Sequence, residues 1–136
     1  MLEQLKVIIK KEKVAVEKQL ALLDKQNSLI MKNDAMKLEL VVEEIKNANK
    51  DIAEFEVAKR QLLNGRNFKE TVFQSKDKEL EELFREMRKT VDLLRLQNET
   101  NSILIKQQLS YTNRMLTILN PNREAKVYNS YGNIRR

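Results

Sequence analysis

The last third of the sequence, between Ser75 and Leu119, carries the most regular pattern of apolar and small polar residues. It contains neither Gly nor Pro, and the pattern advances in alternating steps of four and three residues. The positions are Leu80, Phe84, Met87, Val91, Leu94, Asn98, Asn101, Ile105, Gln108, Thr112, Met115 and Leu119. Such spacing keeps one side of an α-helix in contact with a partner helix. The pattern predicts a helix of roughly 44 residues, about 65 Å long at about 1.5 Å per residue.

A first helix is predicted over about residues 2–32, where pairs of adjacent apolar residues repeat every seven positions. Two apolar positions per heptad make a stripe wide enough for contact with two other helices. Glu12, Gln19 and Gln26 interrupt this stripe and share the same heptad spacing. We therefore expect the packing beside these three polar residues to be looser or wetter.

Short turn sequences separate the predicted helices. Asn33-Asp34 joins a residue that tolerates left-handed backbone geometry to a good N-cap residue. A connection this short makes the next helix fold back antiparallel to the first. That second helix is predicted over about residues 35–63, and Asn64-Gly65 is a typical helix end. The connection that follows, between Gly65 and Ser75, is compatible with a short helical turn.

The predicted fold is all-α: an antiparallel three-helix bundle or coiled coil with an extended third helix and a flexible C-terminal tail. Ser75, followed by acidic residues in the next turn, is suited to begin the third helix, and Pro121 ends it. We expect one bundle domain over residues 1–119 and a tail over residues 120–136. The helices are expected at about residues 2–32, 35–63 and 76–119.

The third helix is longer than the two helices beside it by about 14 residues, or about 20 Å. We expect those helices to cover it as far as about Ile105 and to leave the remainder without an intramolecular partner. The apolar residues of the uncovered part are Leu109, Tyr111, Met115, Leu116, Ile118 and Leu119. An exposed apolar surface of this kind is typical of a binding site, unless the protein dimerises there.

The composition fits a helical bundle and argues against most catalytic chemistry. The chain is 41% hydrophobic and 34% charged, with 2 Gly, 1 Pro, no His and no Cys. The commonest general base, nucleophile and transition-metal ligands are therefore missing, and there is no Gly-rich phosphate loop. We expect no enzymatic activity and no metal or other cofactor.

The distribution of charge and hydropathy bears on location and partners. The start of the sequence lacks a signal-peptide core, and no run approaches the roughly 20 apolar residues of a membrane span. We expect a cytoplasmic protein without stable membrane insertion. The net charge of +6 lies mainly in residues 1–32 and 120–136, where it suits phosphates or acidic protein surfaces. Because basic residues alternate with acidic ones and only 3 Tyr are available to stack on bases, we expect no nucleic-acid partner.

Two asparagines, Asn98 and Asn101, occupy seam positions of the third helix that elsewhere hold Leu, Val or Met. One interpretation is that buried Asn residues fix the register and number of helices in a coiled coil. The other is that they form hydrogen bonds with a partner peptide beside the exposed half of the helix. Gln108 and Thr112 extend the same polar interruption toward the uncovered end.

The order of residues across about 90–132 resembles the FlgN family of flagellar type III export chaperones. The residues that carry the resemblance are Asn98, Asn101, Leu104-Ile105, Leu109, Leu119-Asn120-Pro121, Tyr128 and Tyr131-Gly132. The resemblance implies a cytoplasmic chaperone that binds the C-terminal helical segment of the hook-associated proteins FlgK and FlgL. Such a chaperone prevents premature assembly of these subunits and delivers them to the export gate protein FlhA.

The resemblance also implies which residues act, and the apolar pattern agrees with it for the third helix. The expected client-binding residues are Asn98, Asn101, Leu104, Ile105, Gln108, Leu109, Thr112, Met115, Leu116 and Leu119. A tail tyrosine is expected to contribute to docking at the export gate. The distance from Pro121 favours Tyr128, whereas the Tyr-Gly pair of the family favours Tyr131, so both remain candidates.

An alternative function is compatible with the same pattern. A structural coiled-coil adaptor would self-associate through the uncovered end of the third helix, as a weak homo-oligomer. A chaperone with no client bound would present the same surface, so a dimer formed through it is also compatible with the chaperone interpretation.

Overall fold

The fold consists of four α-helices and one pair of very short strands in a computed structural model that describes residues 1–120, 127–128 and 134–135. The elements are α1 Leu2–Met31, α2 Ala35–Leu63, α3 Phe68–Gln74, α4 Lys78–Leu119, β1 Val127–Tyr128 and β2 Ile134–Arg135. β1 pairs with β2 in antiparallel orientation. The prediction of an all-α bundle is confirmed. The predicted flexibility of the tail concerns mainly residues 121–126, 129–133 and 136, which lie outside the described part of the chain.

α1 is the central helix of the bundle. It packs against both α2 and α4, whereas α2 and α4 scarcely approach each other. α2 runs antiparallel to α1 after the short connection, and α4 runs parallel to α1. This direction follows from contacts made in the same chain order: Lys13 pairs with Glu86 at 2.6 Å, and the Ile30 carbonyl accepts a hydrogen bond from Gln108 at 2.6 Å.

The predicted turns between α1, α2 and the following connection have the expected backbone geometry. Asn33 adopts a φ of 55° and the Asp34 side chain accepts a hydrogen bond from the Lys37 amide at 3.1 Å, so α2 has an N-cap. Asn64 ends α2 with a φ of 48°, and Gly65 follows with a φ of 84°. Left-handed geometry of this kind favours Asn and Gly, which is why the sequence revealed both ends.

The start of the long helix differs from the sequence-based expectation. Asp77, not Ser75, is its N-cap, because the Asp77 carboxylate accepts a hydrogen bond from the Leu80 amide at 3.2 Å. Ser75 instead closes α3: its hydroxyl donates to the Val72 carbonyl at 2.6 Å. A left-handed Lys76, with a φ of 57°, separates the two helices.

The apolar core is divided into two clusters along α1. One cluster joins α1 to the end of α2, to α3 and to the first half of α4, and α3 closes this end of the bundle with the fully buried Val72. The other joins the second half of α1 to the first half of α2. Glu12, Gln19 and Gln26 are all buried, so a polar line runs along the central helix where the sequence interrupted its apolar stripe.

α1 covers α4 farther than predicted. The Gln108 side-chain amide donates to the carbonyl of Ile30, one residue before the end of α1, so contact reaches three residues beyond Ile105. The last carbonyls of a helix have no intrahelical partner, and the long Gln side chain supplies one. The uncovered part of α4 is therefore residues 109–119, about 16 Å long; we call this segment the α4 overhang.

Candidate functional site

The α4 overhang presents large apolar side chains to solvent. Tyr111, Ile118 and Leu119 are 66%, 71% and 75% exposed, and Met115 is exposed to a lesser extent. Leu109 and Leu116 are half-buried. Scattered single apolar residues are normal on a protein surface, whereas a group on one 11-residue segment is typical of an interaction site.

The sequence keeps the overhang helical although no neighbouring helix supports it. The Thr117 hydroxyl donates to the Asn113 carbonyl at 2.9 Å, and the Asn120 amide donates to the Leu116 carbonyl at 2.9 Å. An isolated helix of this length is marginal in water, but this one continues a helix whose first half is packed. Nucleation is therefore already provided by the bundle.

Asn101 is engaged inside the molecule. It is 1% exposed. Its Nδ2 donates to the Leu23 carbonyl at 2.7 Å and to Gln26 Oε1 at 3.0 Å. Its Oδ1 accepts from Asn27 Nδ2 at 3.0 Å and from Gln97 Nε2 at 2.9 Å. These contacts use the full hydrogen-bonding capacity of the amide and match the role of a register-fixing Asn, so none remains for a partner protein.

Asn98, the other residue of the pair, is in a different environment. It is exposed and lies on the side of α4 that faces α2. The two asparagines are separated by about 60° around the helix axis because three residues span less than one turn. The structure therefore assigns the two interpretations of the Asn pair to different residues: the structural contacts belong to Asn101, and the accessible amide belongs to Asn98.

The remaining predicted client-binding residues fall on two sides of α4. Asn98, Ile105, Leu109 and Leu116 follow one another in steps of seven, four and seven and share one face. Leu104 and Met115 lie on the other face, beyond the line along which α4 contacts α1. Thr112 and Leu119 lie on that contact line. Gln108 is half-buried and its amide is bonded to α1.

A groove separates α2 from α4 and has α1 as its floor. It encloses about 220 Å³. Its floor includes Gln19 and Leu23, its α2 wall includes Val42 and Asn49, and its α4 wall includes Asn98 and Ser102. Sequence reasoning missed this groove, which we call the α2–α4 groove. The signal available in the sequence was the heptad-spaced polar line of α1, but the sequence does not show which neighbours that line faces.

A polar cluster fixes the start of α4 on α1. Lys6, a largely buried lysine, pairs with Asp77 at 2.6 Å and also with Glu79 at 3.5 Å. The hydrogen bond to Asp77 raises the pKa of Lys6, and the same bond lowers the pKa of Asp77. Lys10 also pairs with Glu79 at 2.9 Å, which lowers the pKa of that glutamate. Because these contacts hold the first turn of α4 on α1, they fix the position of α4 along α1. They therefore also determine how far α4 extends beyond the end of α1.

Glu12 is a buried carboxylic acid away from the overhang. Burial, together with a hydrogen bond with Glu56, raises its pKa to about 7, although Lys59 at 3.4 Å acts in the opposite direction. Its Oε2 has no hydrogen-bond partner in the described part of the chain. Because this carboxyl is buried between α1 and α2, we interpret it as a determinant of stability rather than of binding.

The structure describes one of the two tail tyrosines. Tyr128 belongs to β1, whereas Tyr131 lies outside the described residues. The expectation that one of them docks at the export gate remains a prediction.

Neither a metal site nor a membrane-spanning helix is found among the described residues. Within residues 1–120, 127–128 and 134–135, no group of three or more His, Cys, Asp or Glu side chains is placed to hold a metal ion. In the same residues, no helix combines the length and the apolar character needed to cross a membrane.

Comparison with known proteins gives one result that identifies the family. No curated protein and no solved structure matches the chain. A family model described as FlgN protein matches residues 1–136, the whole chain. The protein therefore belongs to the FlgN family, a family of flagellar export chaperones.

Proposed function

We propose that this protein is a cytoplasmic chaperone of the flagellar type III export system, with the hook-associated proteins FlgK and FlgL as its clients. It binds their C-terminal helical segment, prevents premature assembly and delivers them to the export gate protein FlhA. Family membership supports the chaperone role. The observation that carries the binding mode is the exposed apolar end of α4, which has no intramolecular partner in the described part of the chain.

The physical basis is recognition of an amphipathic helix by an apolar helix face. The client segment places its apolar stripe on the α4 overhang and on the adjoining face of α4. Burial of that stripe removes from water the surface through which client subunits polymerise. We propose that the contact residues on α4 are Asn98, Leu104, Ile105, Leu109, Thr112, Met115, Leu116 and Leu119, with Gln108 at the edge of the site. Asn101 supports the site through the α1–α4 contact and does not touch the client.

Met115 suits a site that accepts two clients. Its unbranched thioether side chain adapts to partner surfaces of different shape, and it is exposed at the middle of the overhang. This flexibility is consistent with one chaperone serving both FlgK and FlgL.

The tail provides the proposed contact with the export gate. Its net positive charge and its two tyrosines, Tyr128 and Tyr131, are separate from the client-binding face in sequence. Client binding and gate docking therefore use different segments, which allows the chaperone to reach FlhA while it still holds its client.

Calorimetry with a C-terminal segment of FlgK tests the client-binding proposal. Leu116→Asp places a charge in the apolar contact and is expected to weaken binding at least tenfold, with helix content by circular dichroism unchanged. Val14→Asp is the matched control, because Val14 is an equally apolar residue, 66% exposed, on α1. Undiminished affinity of the Leu116 variant would show that the overhang is not the binding site.

Self-association through the overhang is the second candidate function, and the same exposed side chains favour it. Sedimentation velocity over a wide concentration range separates the two. A concentration-dependent dimer that Ile118→Asp abolishes, with no affinity for FlgK or FlgL, would support the structural adaptor. A monomer that forms a one-to-one complex with the client segment would support the chaperone.

A further inference from the structure

The arrangement of the three long helices leaves a position open above the groove between α2 and α4. α1 packs against α2 and against α4, but α2 and α4 scarcely approach each other. We propose that the client helix occupies this position as a fourth helix, with its backbone above the α2–α4 groove and one side chain inserted into it, and that it presents carboxylates toward α4. This inference rests on the proposed function and specifies where and how the client binds.

One line of residues on α4 runs through the groove and onto the overhang. Asn98, Ser102, Ile105 and Leu109 follow in steps of four, three and four, and Leu116 follows seven residues later. Steps of three and four define one face of a helix. Four residues of this line are half-buried, namely Ser102, Ile105, Leu109 and Leu116. The other helices therefore do not cover this face completely, and it is not fully exposed to solvent either. A straight helix that contacts Leu116 and Leu109 and extends toward α3 passes over the groove.

The length of this line matches one helix. From Asn98 to Leu116 it covers 19 residues of α4, with a rise of about 27 Å between the first and the last. The overhang alone provides only about 16 Å. A client helix confined to the overhang therefore buries little more than half of the face that α4 offers.

The floor of the groove contains an unpaired hydrogen-bond acceptor. Gln19 is 3% exposed, and its Nε2 donates to the Ile45 carbonyl at 3.3 Å and to Asn49 Oδ1 at 2.6 Å. Its Oε1 is buried and has no partner in the described part of the chain. Buried acceptors without a partner are rare because they have lost their hydrogen bonds with water and have formed none within the protein. Because Oε1 is itself covered, the Gln19 side chain has to turn toward the groove before a hydroxyl or amide of the client can donate to it.

The volume of the groove indicates what enters it. Since one water occupies about 30 Å³ in the liquid, the 220 Å³ of the groove hold several waters or one large side chain. The client backbone therefore stays above the groove, and one long side chain of the client inserts between Val42 and Ser102. Val42 provides the apolar contact and Gln19 the polar one.

The charge of α4 identifies the chemistry of the client helix. From Asn98 to Leu119 the charged side chains of α4 are two cations, Lys106 and Arg114, and one acid, Glu99; Arg114 lies on the side of the helix opposite Leu116. Arg95 adds a third cation at the groove itself. None of these three side chains makes an ion pair with the residues that the structure describes. Opposite charges across an interface favour encounter and fix orientation, so the client helix carries acidic residues on its α4 side.

Binding of a FlgK C-terminal segment to the full chain tests the inference. Ser102→Phe fills the groove, and we expect the dissociation constant to rise at least tenfold. Thr100→Phe is the matched control, because Thr100 is an exposed residue of the same helix on a different face, and its affinity should stay within twofold of wild type. Thermal unfolding of both variants shows whether the bundle remains folded.

A charge variant tests the same inference without a change in packing. Arg95→Glu/Lys106→Glu should weaken binding at least tenfold at low salt, and added salt should then raise the affinity, because the reversed charges repel an acidic client helix. Arg88→Glu, an exposed reversal nearer the start of α4, is the control. This variant decides the matter if Ser102→Phe disturbs the fold.

The outcomes separate the inference from the proposed function. Loss of affinity in the groove and charge variants, with both controls near wild type, supports the fourth-helix position. If these variants bind like wild type while Leu116→Asp does not, the client lies on the overhang alone and the inference is wrong. If wild-type protein does not bind the segment at all, the proposed function fails and the inference fails with it.

Discussion

Replacement of Asn101 by Ala tests whether the buried asparagine stabilises the bundle. The substitution removes four hydrogen bonds and leaves Gln26 Oε1, itself on a buried side chain, without the donor that now satisfies it. A buried polar group without a partner costs about 1–3 kcal/mol. Asn27 and Gln97 are half-buried and recover part of their loss from water. We expect a decrease of about 2–3 kcal/mol in the free energy of unfolding.

Urea unfolding followed by circular dichroism measures this decrease as a shift in midpoint at constant slope. Asn98→Ala is the matched control: it lies three residues earlier, is exposed, and should stay within about 0.5 kcal/mol of wild type. If Asn101→Ala and Asn98→Ala unfold at the same urea concentration, the network of hydrogen bonds around Asn101 contributes nothing measurable and the reasoning is wrong.

A double-mutant cycle extends this test to the partner of Asn101. Replacing both members of a buried hydrogen bond by apolar residues of similar shape is often neutral or stabilising. Asn101→Leu/Gln26→Leu should therefore be more stable than the sum of the two single changes predicts, with a coupling of about 1–2 kcal/mol. Simple additivity of the two changes would show that the side chains do not interact.

Three further predictions concern stability and delivery. The pKa of Glu12 in the folded protein, about 7, lies above its ordinary value of 4.5, so stability is highest below about pH 4.5 for this group and falls as the pH rises to about 7. Glu12→Gln should therefore stabilise the protein at pH 8 by on the order of 1–2 kcal/mol, since the lowered pKa of Glu56 offsets part of the effect, and should change little at pH 4; a gain of equal size at both pH values would contradict the assignment. Asp77→Ala removes both the N-cap of α4 and the partner of Lys6, whereas Asp77→Asn keeps the cap, so urea midpoints should fall in the order wild type, Asn, Ala; equal midpoints for the two variants would show that the cap is unimportant. Deletion of residues 121–136 should leave FlgK-segment binding by calorimetry unchanged and reduce capture by FlhA, and equal capture with and without the tail would refute the gate-docking role.

The sequence predicted the helices well because their ends have local chemical causes. Asn33 and Asn64 adopt left-handed geometry, and Asp34 caps the helix that follows. Each of these signals depends on one or two adjacent residues. The start of the long helix was predicted wrongly because Ser75 and Asp77 are both good N-cap residues. The choice between them depends on α3 and on Lys6, and neither can be read from the cap sequence itself.

The candidate site was predicted only in part, because a periodic pattern does not show which neighbour each side of a helix meets. Exposure of Ile118 and Leu119 followed from helix length alone. Burial of Asn101 and exposure of Asn98 depend on a rotation of less than one turn relative to α1. The α2–α4 groove depends on the separation of two helices that are distant in sequence. Such quantities are set by tertiary packing.

The polar side chains around the groove explain why the bundle does not close on itself. Apolar residues at Gln19, Asn49 and Asn98 would favour direct packing of α2 on α4, and the open position would disappear. As it is, the Gln19 side-chain amide donates to Asn49 Oδ1 at 2.6 Å, so these two side chains join α1 to α2 rather than α2 to α4. The bundle thus gives up some core stability at this level and keeps a solvated surface beside an apolar one. If α4 were covered along its whole length, no face of it would remain for a partner protein. Here the polar line of α1 that weakens the core leaves the side of α4 that faces α2 uncovered along most of its second half.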